Sequence, residues 1–293
     1  YIIGPRSQYG PLIIRRSDDG GRSWTSPENS TSGLLHTGKW HTAPVPVITH
    51  GGRIWRAIEK VQGGGGWPRH FKATIISAPV DADLLDADSW RVSGILSFDP
   101  DWLDNDNAGW LEGNAIIAPD GELVNMLRVH NGSLAAMVHV DREGRKLSFN
   151  PEKDFVAFPG GAKKFTIRHD EKSGLYWTLS NPILERHKGS NPASTRNTMA
   201  LMSSADLRHW KVREIVLYHP DIKKHGFQYP DWHFDGSDII AVSRTAYDDG
   251  LGGAHNAHDA NYLTFHRIED FRSASANDVD VSIYLETRDK DVR

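Results

Sequence analysis

Short apolar runs separated by turn residues extend along nearly the whole chain. Each run is rich in Ile, Val, Leu, Thr or aromatic residues, and Gly, Asp, Asn or Pro bounds it, which is typical of strands. Helix-like stretches are few and short, such as residues 83–89. The pattern therefore predicts an all-β chain, with strands at Leu12–Arg15, Pro44–Thr49, Ile54–Glu59, Ala73–Ala78, Asn114–Ile117, Leu123–Val129, Leu134–His139, Phe165–Arg168, Leu175–Leu179, Met199–Met202, Val212–Leu217, Ile239–Ser243 and Tyr262–His266.

A polar turn that runs into a large apolar residue recurs at a nearly constant interval. The recurring positions are Trp24, Trp90, Leu147, Trp210 and Phe271, in steps of 66, 57, 63 and 61 residues. A unit of that length holds about four strands, which is one blade of a β-propeller. The sequence predicts one domain, residues 1–293, folded as a five-bladed β-propeller. A β-sandwich with accidental spacing is the alternative.

The first blade is expected to be incomplete. The glycine turn that opens the other units would precede Tyr1 in the first unit. Its innermost strand is therefore expected either to be missing or to be supplied by the C-terminal strand near Val281–Leu285.

Composition narrows the function classes. The 34 Lys and Arg against 38 Asp and Glu give a formal net charge of −4, which argues against nonspecific nucleic-acid binding. The absence of Cys excludes disulfides, thiolate zinc sites and Cys nucleophiles. No apolar run reaches the length of about 18 residues that a membrane span needs. The 10 Trp residues are either core anchors or flat platforms for sugar rings.

One motif carries a family resemblance. The segment Ser17–Trp24 reads Ser-Asp-Asp-Gly-Gly-Arg-Ser-Trp and is similar to the Asp box of the sialidase (neuraminidase) superfamily. The segment from Ser203 to Trp210 resembles a degenerate copy that is one residue shorter. The resemblance implies a carbohydrate-active enzyme, with the box between the third and fourth strands of a blade, far from the active site, and with Trp24 packed between blades. It also implies an alternative fold, a six-bladed sialidase-type propeller truncated at the N-terminus.

Propeller geometry predicts which face holds the chemistry. The starts of the innermost strands and the long second loops, including 61–71, 181–197 and 245–260, are expected on one face, where loops of that length are usually functional. The polar and aromatic residues at the starts of the innermost strands suggest a pocket that binds a sugar. The alternative is that these polar groups are hydrogen-bonded to one another in a central channel. Trp67, behind a glycine run, and Trp232 fall on the same face. The substrate-binding residues predicted here are Trp40, Trp110, Asn114, Lys164, Gln228 and His258.

Three arginines map to this face. Arg128, Arg196 and Arg244 lie at strand ends beside the long loops. Guanidinium groups bind carboxylates in a bidentate way, and the set is similar in role to the arginine triad of sialidases. We therefore expect an acidic sugar, uronic or sialic, in the substrate. Ordinary salt bridging between blades is the alternative.

Candidate catalytic groups lie on the same face. Glycoside hydrolysis needs two carboxyl groups, or an acid and an activated Tyr, that flank the bond. Glu112 is the first choice because it opens an innermost strand beside Gly113, and His41 is a candidate acid or base. The other candidates are Glu59, Asp231, Tyr247, Asp248, Asp249 and Asp259.

The last long loop raises the question of a metal. His255, His258 and Asp259 could bind a divalent cation, but a Gly-Ala-rich loop that hydrogen-bonds to its neighbours is favoured. No cofactor and no metal are therefore expected.

The sequence predicts a glycoside hydrolase that acts on an oligo- or polysaccharide containing an acidic sugar. A polysaccharide lyase that uses His41 or His258 with Tyr247 is one alternative, and a non-catalytic glycan-binding propeller is the other. The proposed activity favours a periplasmic or secreted location. Neither a nucleic-acid partner nor a membrane span is expected.

Overall fold

Antiparallel strands form nearly all the regular structure in the computed structural model, which describes residues 1–103, 108–130, 132–275 and 283–284. The strands assemble into five sheets of three or more strands and one two-stranded sheet. The five larger sheets are the blades of an all-β, five-bladed β-propeller, as the sequence predicted. No helix among the described residues is long and apolar enough to cross a membrane.

The chain divides into two compact units. The first contains residues 1–127 and 136–154, and the second contains 128–135 and 155–293. Three sheets have their strands wholly or mainly in the first unit, in the orders β1-β2-β3, β4-β6-β7-β8 and β10-β11-β12-β13. Their strands are β1 Ile2–Pro5, β2 Leu12–Arg15, β3 Leu34–His36, β4 Trp40–His41, β5 Val47–His50, β6 Arg53–Val61, β7 Phe71–Pro79, β8 Arg91–Val92, β9 Leu96–Ser97, β10 Trp110–Ile117, β11 Leu123–Val129, β12 Leu134–Val140 and β13 Leu147–Ser148.

The second unit contains a four-stranded sheet, β15-β16-β18-β19, and a three-stranded sheet, β20-β21-β22. Its strands are β14 Phe155–Ala157, β15 Thr166–Asp170, β16 Leu175–Ser180, β17 Ile183–Leu184, β18 Thr198–Ser204, β19 Lys211–Tyr218, β20 Gly226–Asp235, β21 Asp238–Ala246, β22 Tyr262–Ile268 and β23 Ile283–Tyr284. Short 3₁₀ turns occur at Ala87–Ser89, Pro100–Trp102, Glu185–His187 and Phe271–Ser273.

Buried faces explain why the apolar runs form strands. In the first unit, Leu12, Ile14 and Trp40 pack with Ile58 and Ile76, so the facing sides of the first two sheets form one apolar cluster. Strands such as β7 and β11 are buried on both faces, which is why their sequences are nearly continuous apolar runs rather than alternating ones.

The second unit has its own core and a strong ion pair beside it. Trp177, Trp232 and Phe271 lie in one apolar cluster, with Phe271 edge-on to Trp177 at 5.0 Å. Arg272, the residue after Phe271, donates two hydrogen bonds of 2.7 Å to the carboxylate of Asp170. This bidentate pair joins the turn after β22 to the end of β15.

The segment Ser17–Trp24 folds as a turn between β2 and β3 that bonds to itself. Asp19 Oδ1 accepts from the backbone N–H of Arg22 and of Ser23, and its Oδ2 accepts from the Ser23 hydroxyl at 2.7 Å. These hydrogen bonds, led by the one from the Ser23 side chain, lower the pKa of Asp19 to about 2. Trp24 is 37% exposed, so the expectation that it packs between blades is wrong. Its indole N–H instead closes the turn by donating to a backbone carbonyl within it.

The C-terminal strand does not complete the first blade. Ile283–Tyr284 pairs with Ile183–Leu184 in the second unit, whereas the first sheet has three described strands, β1 to β3. The remaining residues of the predicted strand, 281, 282 and 285, lie outside the described part of the chain. A first blade that is short of its innermost strand remains a prediction.

Candidate functional site

The first unit holds an imidazole–carboxylate pair at the start of β4. His41 lies opposite Glu59 in the register of β4 and β6, which brings their side chains to the same face of the sheet. His41 Nδ1 is 2.8 Å from Glu59 Oε2. The imidazole is 19% exposed, whereas the carboxylate is completely buried. Because carboxylate oxygens only accept hydrogen bonds, this contact orients the ring and selects its tautomer.

The second oxygen of Glu59 holds the backbone beside Glu112. The N–H of Gly113 donates to Glu59 Oε1 at 3.1 Å. Glu112 is buried and has a φ of +57°, in the left-handed region that side chains other than glycine rarely adopt. A side chain at position 113 has no room, because its Cβ would lie 2.0 Å from Asn125 Oδ1. The structure thus joins His41 to Glu59 directly and joins Glu59 to the peptide that follows Glu112.

Aromatic rings and a second imidazole surround His41. Its ring centroid is 4.3 Å from that of Phe71 and 6.1 Å from that of Tyr9, and His70 packs edge-on against Tyr9 at 5.5 Å. Burial, followed by the positive charges of His41 and Lys72, lowers the pKa of His70. Sequence reasoning missed Tyr9 and His70 because each is a single residue in a loop and only folding brings it to His41.

The predicted aromatic platforms of the first unit require correction. Trp40 is 4% exposed and Trp110 is completely buried, so neither ring face can stack on a sugar. Both are core anchors, which is the alternative reading of a Trp-rich composition. Trp67 is 47% exposed and is the one of the three that offers a ring to solvent. Asn114 is also completely buried, and its amide points to the carbonyl oxygen of Met126 at 3.5 Å, so it has no route to a substrate.

The second unit concentrates buried positive charge. Arg128 and Arg196 are 2% and 4% exposed, and Lys163 is 1% exposed. Arg128 Nε donates to the carbonyl oxygen of Ala162, and Lys163 Nζ to that of Pro192, both at 2.7 Å. Burial lowers the pKa of Lys163 well below its usual range, and the nearby charges of Arg196 and Arg128 lower it further. Lys163 therefore lies close to both arginines.

Arg244, the third predicted arginine, contacts the same aromatic ring as Arg196. The guanidinium carbons of Arg196 and Arg244 lie 5.6 Å and 5.0 Å from the ring centroid of Tyr229. Arg244 Nη2 also donates to the carbonyl oxygen of His258 at 2.9 Å. Tyr229 therefore positions both guanidinium groups by cation–π contact. Its role could not be predicted, because nothing near it in sequence marks it as a partner for two distant arginines.

The two long loops of the second unit and the connection between β19 and β20 line a cavity of about 390 Å³. Thr195, the residue before Arg196 in the chain, forms part of its wall. Gln228 is completely buried beneath it and donates from Nε2 to the carbonyl oxygens of Ala257 and His258. Gln228 thus supports the wall rather than reaching the cavity. The lining residues are Ser190, Asn191, Ser194, Thr195, Ile222, Lys223, Asn256, Ala257 and His258.

Lys164, a predicted substrate-binding residue, is held by hydrogen bonds inside the protein. It is completely buried, and its Nζ donates to the carbonyl oxygen of Pro230 and to Thr166 Oγ1. Trp232, expected on the pocket face, is buried too and donates from its indole to the Thr166 carbonyl at 2.9 Å. The neighbouring Lys163 is the one that lies near the arginines.

The loop around residues 255–259 is bonded within itself. Asp259 accepts from Asn256 Nδ2 at 2.7 Å and lies 3.1 Å from His258 Nδ1, and these hydrogen bonds lower its pKa. Across the described ranges, no group of three or more His, Asp or Glu side chains is arranged to hold a metal ion. The alternative cation site at His255, His258 and Asp259 is therefore not assembled.

Tyr247 and Asp231, two further candidate catalytic residues, contact other side chains of the second unit. Tyr247 is 41% exposed and packs edge-on against the buried His225 at 4.9 Å, with Asp248 3.5 Å from His225 Nε2. Asp231 lies 3.5 Å from Arg168. These contacts belong to the second unit and are not shared with His41 and Glu59.

Comparison with known proteins identifies the fold. No family model and no curated protein sequence matches the chain. Among solved structures, the Hadza microbial sialidase Hz136 aligns with 88% of this chain and 44% of its own at a TM-score of 0.55 and 14% identity. A β-fructofuranosidase from Schwanniomyces occidentalis aligns with 96% and 50% at 0.52 and 11% identity. An inulosucrase from Halalkalicoccus jeotgali aligns with 84% and 68% at 0.51 and 11% identity.

The chain shares its β-propeller fold with these proteins. It spans about half the length of the sialidase and of the fructofuranosidase. Because identity is below 15% in each case, the likeness concerns the fold, and the function has to be argued from the side chains.

Proposed function

We propose that this protein is a glycoside hydrolase that acts on a glycan containing an acidic sugar. The observation that carries the proposal is the cationic cluster of the second unit, in which Arg128, Lys163 and Arg196 lie close together under almost complete burial. Two buried guanidinium groups beside a third basic side chain attract a ligand of opposite charge. A sugar carboxylate supplies that charge and suits the planar guanidinium fork.

The test compares an acidic glycan with its carboxyl-reduced counterpart. We expect the wild-type protein to cleave sialyl- or uronyl-linked oligosaccharides at least ~10-fold faster than the same oligosaccharides with the carboxylate reduced to an alcohol. Arg196→Lys, which keeps the charge and removes the fork, should abolish most of that preference. Equal rates on the two glycans in the wild-type protein would contradict the proposal.

A matched arginine in the same unit serves as the control. Arg267 forms a surface ion pair with Asp235 and Asp238, at 2.6 Å to each, and is 41% exposed. Arg267→Lys should leave the preference for acidic glycans unchanged. The comparison separates the loss of one buried guanidinium group from the general effect of replacing an arginine with a lysine.

Catalysis is assigned to the residues gathered in the first unit. Glu112 and His41 are the proposed proton-transferring groups, and Glu112→Gln should lower kcat by ~10²-fold or more if its carboxyl group takes part. Unchanged turnover in that variant would remove Glu112 from the mechanism. If the wild-type protein binds acidic glycans but does not cleave them, the remaining interpretation is a non-catalytic glycan-binding propeller.

β-Elimination from a uronate is the second candidate, and the His41–Glu59 pair favours it. A carboxylate-oriented imidazole is a suitable base for a proton next to a uronate carboxyl group. Elimination produces an unsaturated uronate that absorbs ultraviolet light, whereas hydrolysis produces only a new reducing end. Polygalacturonate and alginate, followed by absorbance and by reducing-end assay together, distinguish the two reactions.

A further inference from the structure

Glu59 can be separated from the groups that could touch a substrate. It lies two residues before the end of β6, and its side chain is completely buried. Both of its carboxylate oxygens are already engaged, Oε2 with His41 Nδ1 at 2.8 Å and Oε1 with the N–H of Gly113 at 3.1 Å. A carboxylate in this position has no path to a glycosidic bond. It nevertheless contacts the ring of His41 and the peptide that joins Glu112 to Gly113.

The first contact determines the chemistry of His41. An ionised carboxylate has no hydrogen to donate, so the proton in the 2.8 Å contact belongs to His41 Nδ1. In the neutral imidazole the lone pair then resides on Nε2, which can accept a proton as a base and return it as an acid. If Nδ1 were the acceptor instead, Nε2 would carry the hydrogen and could not act as a base.

The second contact determines the backbone at Glu112. The left-handed φ of +57° is strained for a residue other than glycine and persists only where the surroundings enforce it. The hydrogen bond from Gly113 to Glu59 is one such constraint, and the close approach of Asn125 to Gly113 is another. Glu59 therefore acts on Glu112 through the peptide that follows it.

We propose that Glu59 is a positioning residue whose two oxygens hold His41 in the Nδ1–H tautomer and hold the Glu112–Gly113 peptide, which makes His41 Nε2 the proton-transferring atom of the first unit. The catalytic part of this assignment rests on the proposed glycan-cleaving function; the tautomer does not. It replaces the sequence-based expectation that Glu59 is itself a catalytic acid or base.

Charged and aromatic groups surround the His41–Glu59 pair. The buried Arg56 guanidinium interacts electrostatically with Glu59, and burial lowers the pKa of Arg56 to about 10 even though the Glu59 charge opposes that shift. On the other side of His41 lie Tyr9 and His70, with Lys72 acting on His70. The titration of His41 therefore has to be interpreted together with its neighbours Glu59, His70 and Tyr9.

The experiment uses ¹⁵N-histidine NMR on the whole chain. In the wild-type protein, the ¹⁵N shifts should show His41 protonated at Nδ1 when neutral. Glu59→Gln can keep both hydrogen bonds, because its carbonyl oxygen accepts from Gly113 and its amide NH₂ donates to His41 Nδ1. The variant should therefore switch neutral His41 to the Nε2–H tautomer and move its titration midpoint to lower pH. It should also reduce kcat by ~10²-fold with little change in KM.

Glu122→Gln is the matched control, because Glu122 also faces a histidine, His139, at 3.6 Å but is 64% exposed. It should leave the His41 spectrum unchanged. An Nε2–H tautomer in the wild-type spectrum overturns the proposal without any variant, and so does an unchanged tautomer in folded Glu59→Gln. If no glycan is cleaved but the tautomer switches, the assigned function fails while the positioning role of Glu59 is retained.

Discussion

Gly113→Ala is expected to be strongly destabilising because the added methyl group has no space. Its Cβ would lie 2.0 Å from Asn125 Oδ1 and 3.1 Å from Ala57 Cβ, whereas ordinary contact begins at 3.4 Å. Asn125 is completely buried and donates from Nδ2 to the carbonyl oxygen of Thr74 at 3.3 Å. The amide therefore cannot retreat without breaking a buried hydrogen bond.

The magnitude follows from two costs. Overpacking a well-filled site costs about 1–3 kcal/mol. Leaving a buried amide or carbonyl without its partner costs a further ~1–3 kcal/mol. Because partial relaxation reduces both, we expect Gly113→Ala to lower the free energy of unfolding by about 2–4 kcal/mol. The Glu112–Gly113 peptide would shift as well, so catalytic turnover should fall in the variant that remains folded.

Guanidinium chloride unfolding, followed by tryptophan fluorescence, measures the loss. Gly64→Ala is the matched control, since no atom lies within 4 Å of its Cβ position and its φ is not in the left-handed region. The double variant Gly113→Ala with Asn125→Ser should recover part of the stability, because the shorter side chain withdraws the clashing oxygen. A loss equal to that of Gly64→Ala, or no recovery in the double variant, would refute the steric argument.

Two further predictions concern charges in the second unit. Arg272→Ala should cost about 2–3 kcal/mol at pH 7, less than a fully buried pair because Arg272 is 22% exposed. Arg272 lowers the pKa of Asp170 in the folded protein. The stabilisation is therefore complete above about pH 4, and it is lost as the pH falls towards the lowered pKa of folded Asp170. Thermal unfolding should show a smaller difference between wild type and variant at pH 2.5 than at pH 7. The pKa of Lys163 is lowered in the folded protein, so the unfolded chain binds more protons than the folded one at mildly alkaline pH. The stability of the wild-type protein relative to Lys163→Met should therefore rise between about pH 7 and 10. Parallel curves of stability against pH for the two proteins would contradict this prediction.

Local features of the fold could be predicted from the sequence. Strands such as Leu12–Arg15 and Leu123–Val129 begin and end where predicted, because turn residues bound the apolar runs on both sides. The Ser17–Trp24 turn is equally local, since the hydrogen bonds within it join residues at most four positions apart. The helix-like stretch at 83–89 shortened to the 3₁₀ turn Ala87–Ser89, because its few apolar residues form no continuous helical face.

The candidate sites were predicted only in part. His41, Glu59 and Glu112 were each chosen from the sequence, but their connection depends on the register of β4 against β6 and on a hydrogen bond between residues 54 positions apart. Arg128 and Arg196 were expected to lie close together, and the structure places Lys163, rather than Lys164, beside them.

The sequence by itself determined that this is an all-β propeller with candidate carboxylates, imidazoles and arginines at strand ends, because strand and turn preferences are local properties of the chain. Only the tertiary structure decided what each polar or aromatic group does. Trp110 is a core anchor and Trp67 a surface ring, although composition treats them alike. Glu59 became a positioning residue because burial and two long-range contacts, rather than residue type, determine whether a carboxylate meets a substrate or holds the group that does.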